Sequence, residues 1–346
     1  MSNTTTSRKL CNLALAAITG LIALGSTSVH AQDIQERKIK FSYPVTKDNP
    51  MGLAIDKFAQ IVSDKTAGKM KVTGYANATL GNEIQSMSSV QGGMLEMAVV
   101  STAGAAGNVK ELAIFDLPFI FNNEKEADAV VDGEVGQALL AKFANKNLIG
   151  LCYMDYGFRQ VTNSKHPITR LEDFNGLKLR TLQNRVYIDI FTALGATPLP
   201  LPYPETYTAL ETKAIDGQES AYQVTKSSSY QDIQRYLTET RHVYLPAVIL
   251  VSKKLWDKMS PAEHEVLQSS CKEAQTYHRE VSRKMEAEVV NDLVKAGMQF
   301  NTIEPAEHAR MVEVTAPVIE KYKPELGADL VNKTMETINQ VRKSAP

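Results

Sequence analysis

The sequence predicts an α/β protein of two lobes, and three observations carry that prediction. Its 346 residues exceed one domain of ordinary size and point to two. Strand-like and helix-like segments alternate from residue 38 onward, the pattern of a sheet covered on both faces. A helix opened by Ser260-Pro261-Ala262-Glu263 then meets no break until Gly297. At 1.5 Å per residue the 261–296 stretch spans about 54 Å, more than one domain's diameter, so it is expected to lie across both lobes. A coiled-coil dimer is the competing use of such a helix. Its stripe, Val266, Ser270, Ala274, Tyr277, Val281, Met285, Val289 and Leu293, is too polar for a strict a/d seam.

The elements follow in order. An alternating strand at 38–45 leads to Asn49, a cap, and Pro50, a first-turn proline, which open a helix carrying Leu53, Ile55, Phe58, Ile61 and Val62 and closed by Gly68. A strand at 70–75, a helix begun by Asn82-Glu83, and a strand at 94–101 come next. The glycines at 104–107 make no phosphate loop, because neither G-x-G-x-x-G nor a following Gly-Lys-Ser/Thr is present. An amphipathic helix is expected over 124–145, then a strand at 148–154 that crosses into the second lobe. Pro198, Pro200, Pro202 and Pro204 force an extended segment. A short helix at 205–212, a strand and turn at 213–217, and strands at 237–244 and 247–252 follow, the last two read as the return to the first lobe. Two helices, 305–322 and 328–343, close the chain. The lobes so defined are 32–154 with 246–285, and 155–245 with 286–346.

The composition, 43% hydrophobic and 22% charged with formal net charge −1, is that of an ordinary globular protein and favours neither nucleic acid nor an anionic membrane as partner. Residues 1–31 differ. Arg8 and Lys9 precede an apolar run at 10–24, and Val29-His30-Ala31 makes a small-residue cleavage site, the pattern of a secretory signal peptide cleaved after Ala31. A membrane anchor would need a longer span. Periplasmic export of a monomer is expected. Cys152 and Cys271 can pair in an oxidising compartment. Two scattered cysteines are no disulfide framework, however, and they are read as two buried small hydrophobes.

Functional chemistry centres on residues 159–220. Leu177 and Leu179 alternate with Lys178 and Arg180, a half-buried strand that ends at Arg180 before a helical run. Open α/β sheets bind ligands just outside such strand ends, and a guanidinium offers a fork of donors matched to a carboxylate. An arginine in a surface salt bridge is the competing reading. No nucleophile elbow, H-E-x-x-H or Walker sequence is present, and the six histidines lack metal spacing, so neither metal nor cofactor is expected.

These segments read Gly-Phe-Arg-Gln-Val-Thr-Asn (157–163), Gly-Leu-Lys-Leu-Arg (176–180), Leu-Gly-Ala-Thr-Pro-Leu-Pro (194–200), Ile-Asp-Gly-Gln-Glu (215–219) and Tyr-Leu-Thr-Glu-Thr-Arg-His (236–242). Together they resemble the DctP-type periplasmic solute-binding proteins of tripartite ATP-independent periplasmic (TRAP) transporters, over nearly all of the mature chain. The resemblance implies a type II-like, two-lobed periplasmic binding protein with hinge strands and a long helix spanning both lobes. It implies a small organic acid as ligand and the transporter's membrane subunits as partner. It places the carboxylate clamp on Arg180, supported by Arg159. Ser220 stands where asparagine is usual. Tyr203, Ser101 and His242 are implied to face the cleft. Glu83 is a candidate for sugar hydroxyls, with the helix dipole as the preferred reading. Gln218 and Glu219 are read as fixing a turn. Ser101, Ser220, Gln223, Tyr203 and Glu83 suit a hydroxylated ligand, so a sugar acid is favoured over dicarboxylate, keto or aromatic acids. A periplasmic enzyme anchoring a carboxylate on Arg180 is the rival reading, and a sensing module for a receptor the third.

Overall fold

The computed structural model describes residues 34–344, apart from the side chain of Ala287. The signal-peptide reading of 1–31 falls outside the described residues. Eleven strands form two sheets among them. They are β1 (Arg37–Ser42), β2 (Met70–Tyr75), β3 (Met97–Ser101), β4 (Leu148–Phe158), β5 (Gln160–Asn163), β6 (Lys178–Thr181), β7 (Thr197–Pro200), β8 (Gly217–Ser220), β9 (Tyr236–Glu239), β10 (Tyr244–Ser252) and β11 (Gln299–Thr302). The first sheet runs β2-β1-β3-β10-β4 and the second β11-β9-β5-β8-β6-β7. In the first, β1 lies parallel to β2 and β3, whereas β10 is antiparallel to both its neighbours. The proline-bearing β7 takes a sheet edge, where missing N–H donors cost no ladder bond.

The sheets are joined where the site lies. Only Arg159 separates β4 in the first sheet from β5 in the second. The return crosses at 240–243, and the two crossings bond each other through Arg159 N and the Val243 carbonyl, 2.9 Å. The strand expected at 237–244 is thus divided. Its first part stays with β5 and β11 in the second sheet. The Gln160 side chain then accepts both the Thr240 and Arg241 amides at 2.9 Å, taking the place of a strand partner, and Arg241 adopts a positive φ of 46°.

The long helix Pro261–Lys295 is capped as expected, Ser260 and Glu263 exchanging side-chain and backbone bonds. Its buried stripe differs from the expected one in the middle. His278 and Ser282 are buried where Tyr277 and Val281 are only partly so. Cys152 of β4 and Cys271 of this helix form a disulfide, Cα atoms 6.0 Å apart. The reading as two free apolar residues is therefore corrected: they are buried, but bonded. Packing of the helix on β4 brings together residues separated by 119 positions.

The helix expected over 124–145 is two, Glu124–Asp132 and Glu134–Ala141, broken at Gly133, which is extended with ψ −170°. The chain folds so closely back that a Cβ on Gly136 would lie 1.8 Å from the Val131 carbonyl oxygen. The last helix, Ala328–Ser344, expected with the second lobe, packs its Val331, Thr334 and Ile338 face toward Glu124–Asp132 of the first, with Arg342 bonded to Glu126 and to the Ile120 carbonyl. Among the described residues no helix is long and apolar enough to cross a membrane.

Candidate functional site

A cleft opens between the sheets. Pro44, Glu83, Ser101 and Tyr156 line it from the first-sheet side, and Arg180, Tyr203, Gln218 and Ser220 from the second, with Arg159 at the crossing. Arg180, at the end of β6, is 2% exposed. Its Nε and Nη2 both donate to the Leu201 carbonyl, at 3.0 and 2.8 Å. Among the described residues no carboxylate lies within ion-pair distance of it, and burial lowers its pKa. A buried cation lacking a counter-charge is costly, and a ligand anion relieves that cost.

Arg159 is otherwise engaged. Its Nε pairs with the Glu219 carboxylate and its Nη2 donates to the Glu219 carbonyl, all of these groups being buried. Its guanidinium also lies 5.6 Å from the Tyr187 ring centroid. Burial disfavours the charge on both partners, yet each charge outweighs that on the other, holding Glu219 below and Arg159 above their ordinary values. His242 stands behind this pair: Nε2 is 3.2 Å from Glu219, and Nδ1 is 2.7 Å from the Thr240 hydroxyl. It does not line the cleft, and burial lowers its pKa. The expectation that His242 faces the pocket is corrected, because its ring is turned to the same Glu219 carboxylate oxygen that Arg159 holds.

Glu83 begins the helix Glu83–Gly92, but Asn82 supplies the cap. Its carboxylate accepts from Ser101 Oγ at 2.8 Å, Ser101 N at 3.2 Å and Tyr156 OH at 3.3 Å. Burial raises its pKa against the pull of these donors and of Arg180. The preferred helix-dipole reading is thus incomplete, since this carboxylate looks into the cleft. The Tyr203 hydroxyl bonds Ser228 at 2.6 Å, and the Ser220 hydroxyl bonds Thr225 at 3.2 Å. Gln223 donates to the Ser282 carbonyl and does not line the cleft. Gln218, read as a turn residue, does line it, as do Tyr230 and Leu182. The alternation along β8, which puts Gln218 and Ser220 on one face, was the signal that could have found the first.

Two cap asparagines reach between the sheets. Asn49 caps Pro50–Lys65 with its carbonyl and donates Nδ2 to Ser227, 3.2 Å. Asn184 caps Arg185–Ala193 in the same way and donates Nδ2 to the Ala103 carbonyl, 3.0 Å, and to Asp116, 2.9 Å.

A cleft between two α/β lobes, floored by a buried cation with no carboxylate of the described residues at ion-pair distance, defines a binding protein for a small anion. The profile of bacterial extracellular solute-binding protein, family 7 (DctP), matches residues 41–325, and the chain belongs to this family. It is similar to a sugar acid binding protein from Advenella mimigardefordensis solved with galactonate, at 39% identity and TM-score 0.87, covering 89% of this chain and 99% of that one. A TRAP periplasmic solute-binding protein from Polaromonas bound to D-erythronate shares 34%, with TM-score 0.83 over 87% and 98% of the two chains. The 2,3-diketo-L-gulonate-binding periplasmic protein YiaO of Escherichia coli shares 33% over 82% of this chain and 85% of that one. The protein is a solute receptor for small organic acids, working with the membrane subunits of a TRAP transporter.

Proposed function

We propose that the solute is a hydroxylated monocarboxylate, a sugar acid such as an aldonate or uronate. The observation that carries this reading is the pairing, in one cleft, of Arg180 without a counter-charge and Glu83 with its hydroxyl-bearing neighbours Ser101 and Tyr156. Arg180 takes the carboxylate, and the Glu83 end exchanges hydrogen bonds with hydroxyls. A second carboxylate beside Glu83 would meet a like charge, which disfavours dicarboxylates. The relatives' galactonate and erythronate are monocarboxylates of this type.

The lobes are taken as 34–154 with 246–285 and 155–245 with 286–327, the helix Ala328–Ser344 riding on the first, and ligand draws them together. The receptor carries out no reaction, and product formed from a bound acid by the pure protein would overturn that reading. Export to an oxidising compartment is supported by the disulfide, a bond that persists there, and cleavage after Ala31 rests on the small residues at 29–31. A thermal-shift panel of D-galactonate, D-galacturonate, D-erythronate, succinate and benzoate, followed by calorimetry on the hits, tests the ligand class, because a ligand bound by the folded state alone raises the melting temperature. A shift with succinate or benzoate and none with the sugar acids would overturn it.

A further inference from the structure

We infer that Gln218 reads a hydroxyl on the carbon next to the ligand's carboxylate, so that the protein selects 2-hydroxy acids over their 2-deoxy counterparts. The inference rests on the sugar-acid reading and narrows it.

Gln218 of β8 is paired in parallel register with Arg180 of β6, so the two side chains leave the same face of the sheet from strands about 4.8 Å apart. Gln218 is fully buried and lines the cleft. A chain of donors fixes its amide. Gln234 spends its Nε2 on the Ile233 carbonyl, 3.2 Å, so its Oε1 is the acceptor facing Thr162. The Thr162 hydroxyl therefore gives its proton to Gln234, 3.3 Å, and can only accept from Gln218 Nε2, 3.0 Å. Gln218 Oε1 is left over, buried and without a partner.

Four of the other polar side chains that line the cleft have partners within the protein: Ser220 bonds Thr225, Tyr203 bonds Ser228, and Ser101 and Tyr156 bond Glu83. Arg180 and Gln218 each leave a demand for the ligand. Arg180 has guanidinium protons beyond those given to Leu201 and asks for an acceptor. Gln218 Oε1 asks for a donor. A carboxylate meets the first demand and, having no proton, cannot meet the second. With the two side chains one strand spacing apart, the donor has to sit beside the carboxylate, which places a hydroxyl on the adjacent carbon. A ligand that closes over this oxygen without donating to it leaves it unpaired and loses affinity.

The test is calorimetric titration of the full-length mature protein with D-galactonate and 2-deoxy-D-galactonate, for the wild type and for Gln218→Met, a near-isosteric change. The wild type is expected to prefer the 2-hydroxy acid about tenfold or more, as for an acceptor buried unpaired. In Gln218→Met the preference should shrink to within about threefold, chiefly through weaker galactonate binding. A purely structural glutamine would weaken both ligands equally and leave the ratio intact, and that result overturns the inference. Should the variant fail to fold, the wild type alone decides: equal affinity for the two acids overturns it. If neither acid binds the wild type, the sugar-acid reading falls and the inference with it, an outcome distinct from binding without discrimination.

Discussion

Arg159 grips Glu219 twice, by the carboxylate and by the same residue's backbone carbonyl, whereas Arg180, in the same cleft, holds only the Leu201 carbonyl. Two arginines of one type thus have different work. The first is committed within the protein, and the second is the one proposed to meet the solute.

Arg180→Lys should keep the charge and lose the fork of donors. An affinity loss of at least about tenfold, 1.4 kcal/mol, is expected by calorimetry, with little change in the melting temperature of the ligand-free protein. Arg159→Met should behave oppositely, because it strands the buried Glu219 carboxylate; a stability loss of about 3–5 kcal/mol in urea unfolding is expected. Unchanged binding in Arg180→Lys would remove the clamp assignment.

Asp116 makes stability depend on pH. Burial pushes its pKa up to about 8, against the Asn184 hydrogen bond and the Arg159 charge. In the unfolded chain the group titrates near 3.9. Between roughly pH 4 and 8 the folded state therefore binds a proton that the unfolded state does not, and stability falls as pH rises through that window. Asp116→Asn stays neutral throughout. It should be more stable than the wild type at pH 8, by at least about 1.4 kcal/mol, the equivalent of one pKa unit, and nearly equal at pH 4. Urea melts at the two pH values check this, and parallel pH profiles for both proteins would contradict it.

Asn49→Ser and Asn184→Ser keep a capping oxygen but withdraw the amides that reach between the sheets. Each lost bond is worth about 1 kcal/mol. Ligand dissociation in the double variant should quicken roughly tenfold or more in stopped-flow traces, with association nearly unchanged. A slower off-rate would show that these bonds do not hold the bound state.

Replacing Cys152 and Cys271 by alanine should lower stability by about 2–5 kcal/mol. Neither residue lines the cleft, so affinity at 25 °C should remain within about twofold, since well-separated sites contribute nearly independently. A matching loss of affinity in calorimetry would tie the bond to the site.

Much of this architecture was legible in the chain. The caps at Asn49 and Ser260, the helix start at Asn82-Glu83 and the alternation around Leu179 and Arg180 are local signals, and each marks an element the structure contains. What stayed hidden depends on distant partners. The Cys152–Cys271 bond needs β4 laid against the long helix, and the inward turn of His278 needs the same packing. Gly133 resembles a tolerated helix glycine until the chain folds back there, where a Cβ would lie 2.4 Å from the Ala129 carbonyl oxygen. His242 and Gln218 exchanged their expected parts for one reason. Which side chain a strand or crossing presents to the cleft is set by register, and one residue's shift reverses it.

The disulfide has a mechanical consequence. It bolts the long helix to the first sheet at Cys271, so the turns before that point cannot slide on β4. The turns after it run on to β11 in the second sheet. Any swing of one half of the molecule against the other must then be absorbed beyond the bolt, as curvature in a rod anchored near one end.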